Sequence, residues 1–271
     1  MEFKNTLQGF IGISLAELKD RAELMQRANN KYVLDTDTLI VFLEAMQNDF
    51  CILKINGIRN FTYHNIYWDS PNLRTFYDHN KDRRKRFKVR FRYYLESNLF
   101  FFEVKIREAR SMTYKYRLPI DIETYQTKKL PESLFGFLSE RIHQHYAYTL
   151  ANDFIPSIQI NYQRLTLVSK QSVERITVDH QLLFTFEQQE DNLPYNRYII
   201  EVKSTTGRSS VDRWLQHNHH RPVSKCSKYS IGVNLLKLAH KNTQFTPTIR
   251  RSFHKPMDSF KYTPLSSKPP S

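Results

Sequence analysis

The feature that most constrains this chain is the run Arg86–Arg92, in which full positive charge alternates with large apolar side chains. Successive side chains on a strand point to opposite faces. Phe87, Val89 and Phe91 therefore share one face, and Arg86, Lys88, Arg90 and Arg92 share the other. Three more segments repeat the pattern. Phe102, Val104 and Ile106 oppose Glu103, Lys105 and Arg107. Ile176 and Val178 oppose Arg175, Thr177 and Asp179. Tyr198, Ile200 and Val202 oppose Glu201 and Lys203. An ordinary half-exposed antiparallel sheet accounts for any one of these strands. A sheet curled around a cavity accounts for them too. Adjacent positive strands repel unless an anion fills the space between them. Alternation alone leaves both readings open.

Charge over the whole chain points the same way. Lys and Arg number 41 against 27 Asp and Glu, for a net charge of +14. Such a balance implies a polyanionic partner: nucleic acid, anionic lipid or a polyphosphate-like substrate. The six glycines form neither G-x-G-x-x-G nor G-x-x-x-x-G-K-[ST], which argues against dinucleotide and P-loop sites. Cys51 and Cys226 are too few for a disulfide framework or a Cys-rich zinc site, and they point to a reducing compartment. No apolar run approaches the length of a membrane span, and the N-terminal residues lack signal-peptide architecture. The expected location is cytoplasmic, with docking on an anionic membrane surface compatible with the charge.

Helical spacing predicts helices over 14–28, opened by a Ser14–Glu17 capping box, over 35–48, capped by Asp35, and over 132–151. Aromatic and β-branched runs predict strands at 31–34, 61–68, 86–95, 99–107, 112–118, 157–169, 173–179, 181–187 and 197–203. Short helices are expected at 212–216 and 231–240. Residues 14–240 read as one domain. Residues 241–271, rich in Pro, Ser, Thr and Lys, read as a flexible tail without a core of its own.

Several motifs occur in an order that resembles a known family. Asn65–Leu73 (NIYWDSPNL) is similar to that family's YFDTPDL signature, and Tyr77-Asp78-His79 follows it. Arg86–Arg92 resembles its R-x-R strand, and Phe102–Lys105 its E-x-K strand. Arg175–Asp179, Ile200–Lys203 and Ser227-Lys228-Tyr229 come next, in the family's order. The family is the VTC (vacuolar transporter chaperone) polyphosphate polymerase domain, of the triphosphate tunnel metalloenzymes. The resemblance covers about residues 25–232. It implies an α+β fold: a mainly antiparallel β-barrel tunnel of about eight strands with flanking helices, binding a nucleoside triphosphate and Mn²⁺ or Mg²⁺.

Carried over motif by motif, Arg90, Arg92, Lys105, Arg175 and Lys228 are expected in the catalytic set. Lys31, Lys88, Lys203 and Tyr229 are expected to join them in binding phosphate, and Glu201 and Glu103 to hold the metal. The family's first strand usually reads E-x-K-Y, whereas this chain has Asn29-Asn30-Lys31-Tyr32. Asn offers a hard cation only a neutral oxygen.

The implied function is polyphosphate synthesis from ATP. Partners are ATP and polyphosphate, with no nucleic acid expected, and the oligomeric state is left open. Two alternatives stand beside it: a tunnel triphosphatase, and a non-catalytic polyphosphate- or nucleic-acid-binding module. A phosphate acceptor is already ionised and needs no general base, whereas a hydrolase must activate water. No His or carboxylate on these strands stands out for that task. Other chemistry-bearing residues read as background. His217-Asn218-His219-His220 reads as a solvated loop cluster, and His143 and His145 as surface residues. The Cys226 thiol has lysine neighbours that could lower its pKa but no partnered base. Lys81–Lys88 reads as a basic turn, solvated or set at a tunnel mouth.

Overall fold

The computed structural model of the protein describes residues 2–21, 28–108, 112–239 and 244–253. In chain order its elements are α1 (Glu2–Gln8), β1 (Ile11–Ile13), α2 (Leu15–Arg21), β2 (Ala28–Leu34), α3 (Thr36–Met46), β3 (Phe50–Leu53), β4 (Phe61–Asp69), α4 (Arg74–Asn80), β5 (Arg86–Tyr94), β6 (Leu99–Arg107), β7 (Thr113–Ile120), α5 (Ile122–Gln126), α6 (Glu132–Tyr146), β8 (Ile155–Ser169), β9 (Arg175–Phe186), β10 (Gln189–Asn192), β11 (Tyr198–Ser204), α7 (Ser210–His217), α8 (Lys228–Leu235) and α9 (Thr246–Ser252).

The period-2 strands build one large sheet in the order β2-β11-β9-β8-β4-β5-β6-β7, antiparallel throughout this path. The sheet curls but does not close among the described residues: β2 and β7 are its two edges. Edge β7 carries Pro119, which has no N–H to offer a further strand. The expected α+β fold, an antiparallel tunnel of about eight strands with flanking helices, is thus present, with the sheet open between β2 and β7. Short β1, β3 and β10 attach off this path.

Apolar side chains on the outer face recruit the helices. Leu39, Phe42, Leu43 and Met46 recur on one face of α3 and bury against Tyr32, Leu34, Ile176, Val178, Ile200 and Val202. Asp35 caps this helix by accepting from Thr38 N at 3.0 Å. Leu134, Leu138, Ile142 and Tyr146 of α6 cover Phe87, Val89, Phe91, Phe102, Val104 and Ile106. Burying one such side chain contributes roughly 1.5–3 kcal/mol. The charged face is therefore turned away from both helices, toward the concave side.

Several boundaries differ from expectation. The Ser14–Glu17 capping box is present, with Glu17 N donating to Ser14 Oγ at 3.2 Å and Ser14 N to Glu17 Oε2 at 2.8 Å. The strand expected at 31–34 begins at Ala28, so the first helix does not reach residue 28; residues 22–27 lie outside the described ones. The strands expected at 173–179 and 181–187 are one, β9, interrupted by a bulge where Gln181 adopts φ +51°. Within the segment expected to be a tail, α9 forms, and Phe245 and Phe253 on either side of it are buried. Phe253 and Ile249 pack on the core there, and Phe245 stacks on His79. No helix among the described residues is long and apolar enough to cross a membrane.

Candidate functional site

Strand register fixes which side chains meet inside the trough. Arg90 stands opposite Glu103 and Tyr67, and Arg92 opposite Asn65. Lys88 stands opposite Lys105. Arg164 stands opposite Asp179, and Glu201 opposite both Lys31 and Thr177. Lys203 stands opposite Arg175 on one side and Asn29 on the other.

Two carboxylates act as hubs. Glu103 is almost fully buried; its Oε2 accepts from Arg90 Nε at 2.7 Å and Nη2 at 2.5 Å, and its Oε1 lies 2.7 Å from Lys115 Nζ. Arg92 Nη1 lies 3.7 Å from the same carboxylate. Asp179 is fully buried and accepts from Arg164 through both oxygens, at 2.5 and 2.8 Å, and from the Lys228 ammonium. Burial alone would raise both carboxyls. Arg90, Arg92 and Lys115 hold Glu103 far below the usual carboxylate range instead, and Arg164 and Lys228 do the same for Asp179.

Three lysines have no such partner. Among the described residues, no carboxylate lies within ion-pair distance of Lys31, Lys88 or Lys105. Lys31 Nζ donates to the Cys226 carbonyl at 2.6 Å, and Lys88 Nζ to Ser227 Oγ at 2.6 Å. The segment before α8 thus crosses the trough and is gripped from β2 and from β5. Burial, then Lys105, Lys31, Arg86 and Arg90, push the Lys88 ammonium well below its ordinary range. Lys105 is exposed on β6; desolvation nonetheless lowers it, Glu201 opposes, and Lys31 and Arg90 lower it again.

Tyrosines line the wall beneath the cations. Tyr63 stacks on Tyr162 at 5.3 Å, with Arg164 over both rings and Lys228 4.9 Å from the Tyr162 centroid. Tyr67 stacks on Tyr229 at 4.9 Å and accepts from Arg90 Nη1 at 3.0 Å. Tyr229 OH in turn donates to Asp69 at 2.7 Å, while Asp69 also accepts from Thr75 and Phe76 at the start of α4. Close approach of α8 requires Gly232. A Cβ there would lie 2.5 Å from Ile158 Cδ1 and Phe184 Cδ1. That approach sets Lys228 against Asp179.

The trough therefore brings together Lys31, Lys88, Arg90, Arg92, Lys105 and Lys228 as cations, with Tyr229 in the wall. Arg175 and Lys203 sit side by side on β9 and β11. The carboxylates implied as metal holders are differently placed. Glu103 is the centre of its own ion-pair hub. Glu201 has Lys203 Nζ at 3.6 Å, and Lys203, Lys31, Arg164 and Lys228 outweigh burial and hold it well below the usual range. The third position of the family's set is Asn29. No group of three His, Cys, Asp or Glu side chains suited to a metal occurs among the described residues, His217–His220 included. This donor set does not fit a hard divalent cation, which needs several oxygen ligands not already claimed by cations.

Other expectations also change. His145 is not a surface residue. Its side chain sits between Glu108 Oε1 at 2.5 Å and Tyr116 OH at 2.7 Å. Burial raises the Cys226 thiol despite its lysine neighbours. Lys115, Arg164, Tyr63, Tyr67 and Tyr162 lie outside the expected set, although the same alternation marks several of them: Lys115 and Arg117 against Tyr116 and Leu118, and Tyr162 and Arg164 against Leu165 and Leu167 beyond.

A family model described as "VTC domain" matches residues 26–237. Among solved structures, the Hippeastrum protein HpAC1, reported to show a dominant triphosphatase activity, is 15% identical, with TM-score 0.49, over 78% of this chain and 96% of that one. A Bacillus halodurans protein assigned as an adenylate cyclase is 10% identical, with TM-score 0.45, over 75% and 97%. A Vibrio parahaemolyticus protein assigned likewise is 11% identical, with TM-score 0.43, over 76% and 97%. No curated protein matches.

Proposed function

The chain belongs to the VTC domain family, and on that premise we propose that it binds a linear run of phosphates in its trough and transfers the terminal phosphoryl group of ATP to a growing polyphosphate. The observation that carries the reading is the cluster of Lys31, Lys88 and Lys105. Three ammonium groups from β2, β5 and β6 share one space, none within ion-pair distance of a carboxylate among the described residues, with Glu201 the one acid acting on them from further off. Such a cluster is self-repelling until an anion enters it.

In this reading the three lysines neutralise phosphate oxygens as point charges. Arg90, Arg92, Arg164 and Lys228, held in fixed orientations by Glu103 and Asp179, add donors along the neighbouring wall. In the transfer, an oxygen of the acceptor phosphate forms a bond to the γ-phosphorus of ATP. The bond to the β-phosphate oxygen breaks, and ADP leaves with that electron pair. Charge neutralisation and alignment are what the protein supplies.

Glu103 and Asp179 are held so far below the usual range that they are weak bases. This favours an ionised phosphate acceptor over a water that must be activated, and so supports transfer over triphosphate hydrolysis. Asn29 favours a second reading, phosphate binding without turnover. Incubating the protein with ATP, with and without Mn²⁺, separates the three. Long phosphate polymer is the expected product. Orthophosphate alone means hydrolysis, and unchanged ATP means a binding module.

A further inference from the structure

The geometry points to a trough that binds condensed phosphate without a divalent cation, its lysines doing what a metal would otherwise do. The inference rests on the reading of the trough as a phosphate site and goes beyond it. A metal bridging phosphate oxygens contributes positive charge and a fixed contact. Here both are already present. Lys88 and Lys105 face each other across β5 and β6, and Lys31 reaches the same space from β2.

The acids cannot offset a further cation. Glu103 is engaged by Arg90, Arg92 and Lys115. Asp179 is engaged by Arg164 and Lys228. To bind a metal, either would first have to release a buried Arg or Lys, leaving that cation desolvated and unpaired. Glu201 remains as one carboxylate with Lys203 beside it and Lys105 nearby. Strand β2 contributes no acid at all, since Asn29 and Asn30 precede Lys31. A divalent ion would thus enter a region of net positive charge for one shared ligand. A phosphate chain entering the same region relieves repulsion with every unit.

The probe is inorganic tripolyphosphate, titrated calorimetrically into the full chain in excess EDTA and again in excess Mn²⁺. Binding in EDTA is expected, with an affinity in Mn²⁺ that is no higher. Binding seen only with Mn²⁺, or strengthened tenfold or more by it, overturns this inference and leaves the phosphate reading standing. No binding under either condition overturns both. Mn²⁺ alone, followed by its free-ion paramagnetic resonance signal, is expected to stay in solution; stoichiometric loss of that signal overturns the inference directly. Lys105→Gln, at a side chain open to water, is expected to keep the fold and weaken tripolyphosphate binding in EDTA about 10- to 150-fold, the worth of one charged hydrogen bond. Unchanged affinity in that variant removes the lysine cluster from the site.

Discussion

Arg90, Arg92 and Lys115 converge on Glu103, whereas Lys88 and Lys105, two residues along the same strands, end on a hydroxyl and on open water. The residue types are nearly the same, and the partners differ. In the first region, charge is balanced internally around a buried carboxylate, so it holds strands together. In the second it is left unbalanced, so it is available to something from outside. A count of positive charge would merge the two regions. What separates them is where three carboxylates happen to fall.

The comparison predicts effects of opposite sign. Glu103→Gln leaves two guanidinium groups and an ammonium without their counter-charge. Breaking a buried pair by removing one partner costs about 3–5 kcal/mol. At about 2–4 °C per kcal/mol for a chain near this size, the thermal midpoint should fall by roughly 6–20 °C. A shift as small as that of a surface substitution would mean that the hub is not what joins β5, β6 and β7. The same hubs should fail in acid. Glu103 and Asp179 are lowered on folding, so their contribution is complete above the unfolded carboxylate range and is lost as pH falls toward their folded values. A midpoint that is flat from neutral pH down into strong acid would contradict the pairing.

Lys88→Met tests the other region. It removes one charge from a mutually repelling set together with a hydrogen bond to Ser227. Stability of the free protein should hold or rise. Tripolyphosphate affinity should drop by about 1.5–3 kcal/mol. If this variant melts as early as Glu103→Gln, Lys88 is a structural partner and the two regions are one.

How far these regions were legible in the residues differs between them. Period-2 alternation marks Lys88, Arg90, Arg92, Glu103 and Lys105 as one face, and the structure keeps them on one face. Which cation is neutralised is decided by contacts across the sheet. Asp179 pairs with Arg164 across β8 and β9 and with Lys228, 49 positions away, and no local pattern encodes either contact. Gly232 has the same character, since its need appears only once Ile158 and Phe184 face it. The short elements β3, β10, α4 and α5 span too few residues for periodicity to register. Phe253 and Ile249 pack α9 onto the core, and Phe245 stacks on His79, amid Pro, Thr and Arg.

The fourth prediction concerns protons. Burial and neighbouring cations lower Lys88 in the free protein, so it holds its proton less firmly than in water. A bound phosphate supplies the missing negative charge and raises it again. Binding should therefore take up protons, and affinity should weaken as pH rises from the free toward the bound value. Calorimetry in buffers of different ionisation enthalpy measures the count and its sign. Proton release on binding would show that phosphate does not reach Lys88. The paired region should contribute little to this count, because Glu103 and Asp179 are already ionised at neutral pH.

The smallest effect on the fold is expected from Asn29→Glu, which is also the sharpest test of the contrast. Asn29 stands opposite Lys203 on β11, and Glu201 is the diagonal neighbour two residues along that strand. Side chains in diagonal positions lie about 7–8 Å apart at Cα, within reach of long carboxylates. Asn29 is exposed, so a new pair with Lys203 should change stability by no more than about 1 kcal/mol. The change in chemistry should be larger. The variant restores the E-x-K-Y pattern and sets two carboxylates where the wild type has one. It also draws Lys203 away from Glu201, whose free oxygens then face the trough together with the new pair. Mn²⁺, expected to remain free with the wild type, should bind to this variant, and tripolyphosphate binding should become responsive to it. The outcome rests on one carboxylate because the other two are committed: neither Glu103 nor Asp179 can be recruited without stripping a buried cation of its partner. If Asn29→Glu binds Mn²⁺ no better than the wild type, then the positive field of Lys31, Lys203 and Lys228 excludes the metal by itself. The deciding difference between the two regions would then be the surplus of lysines and not the missing acid.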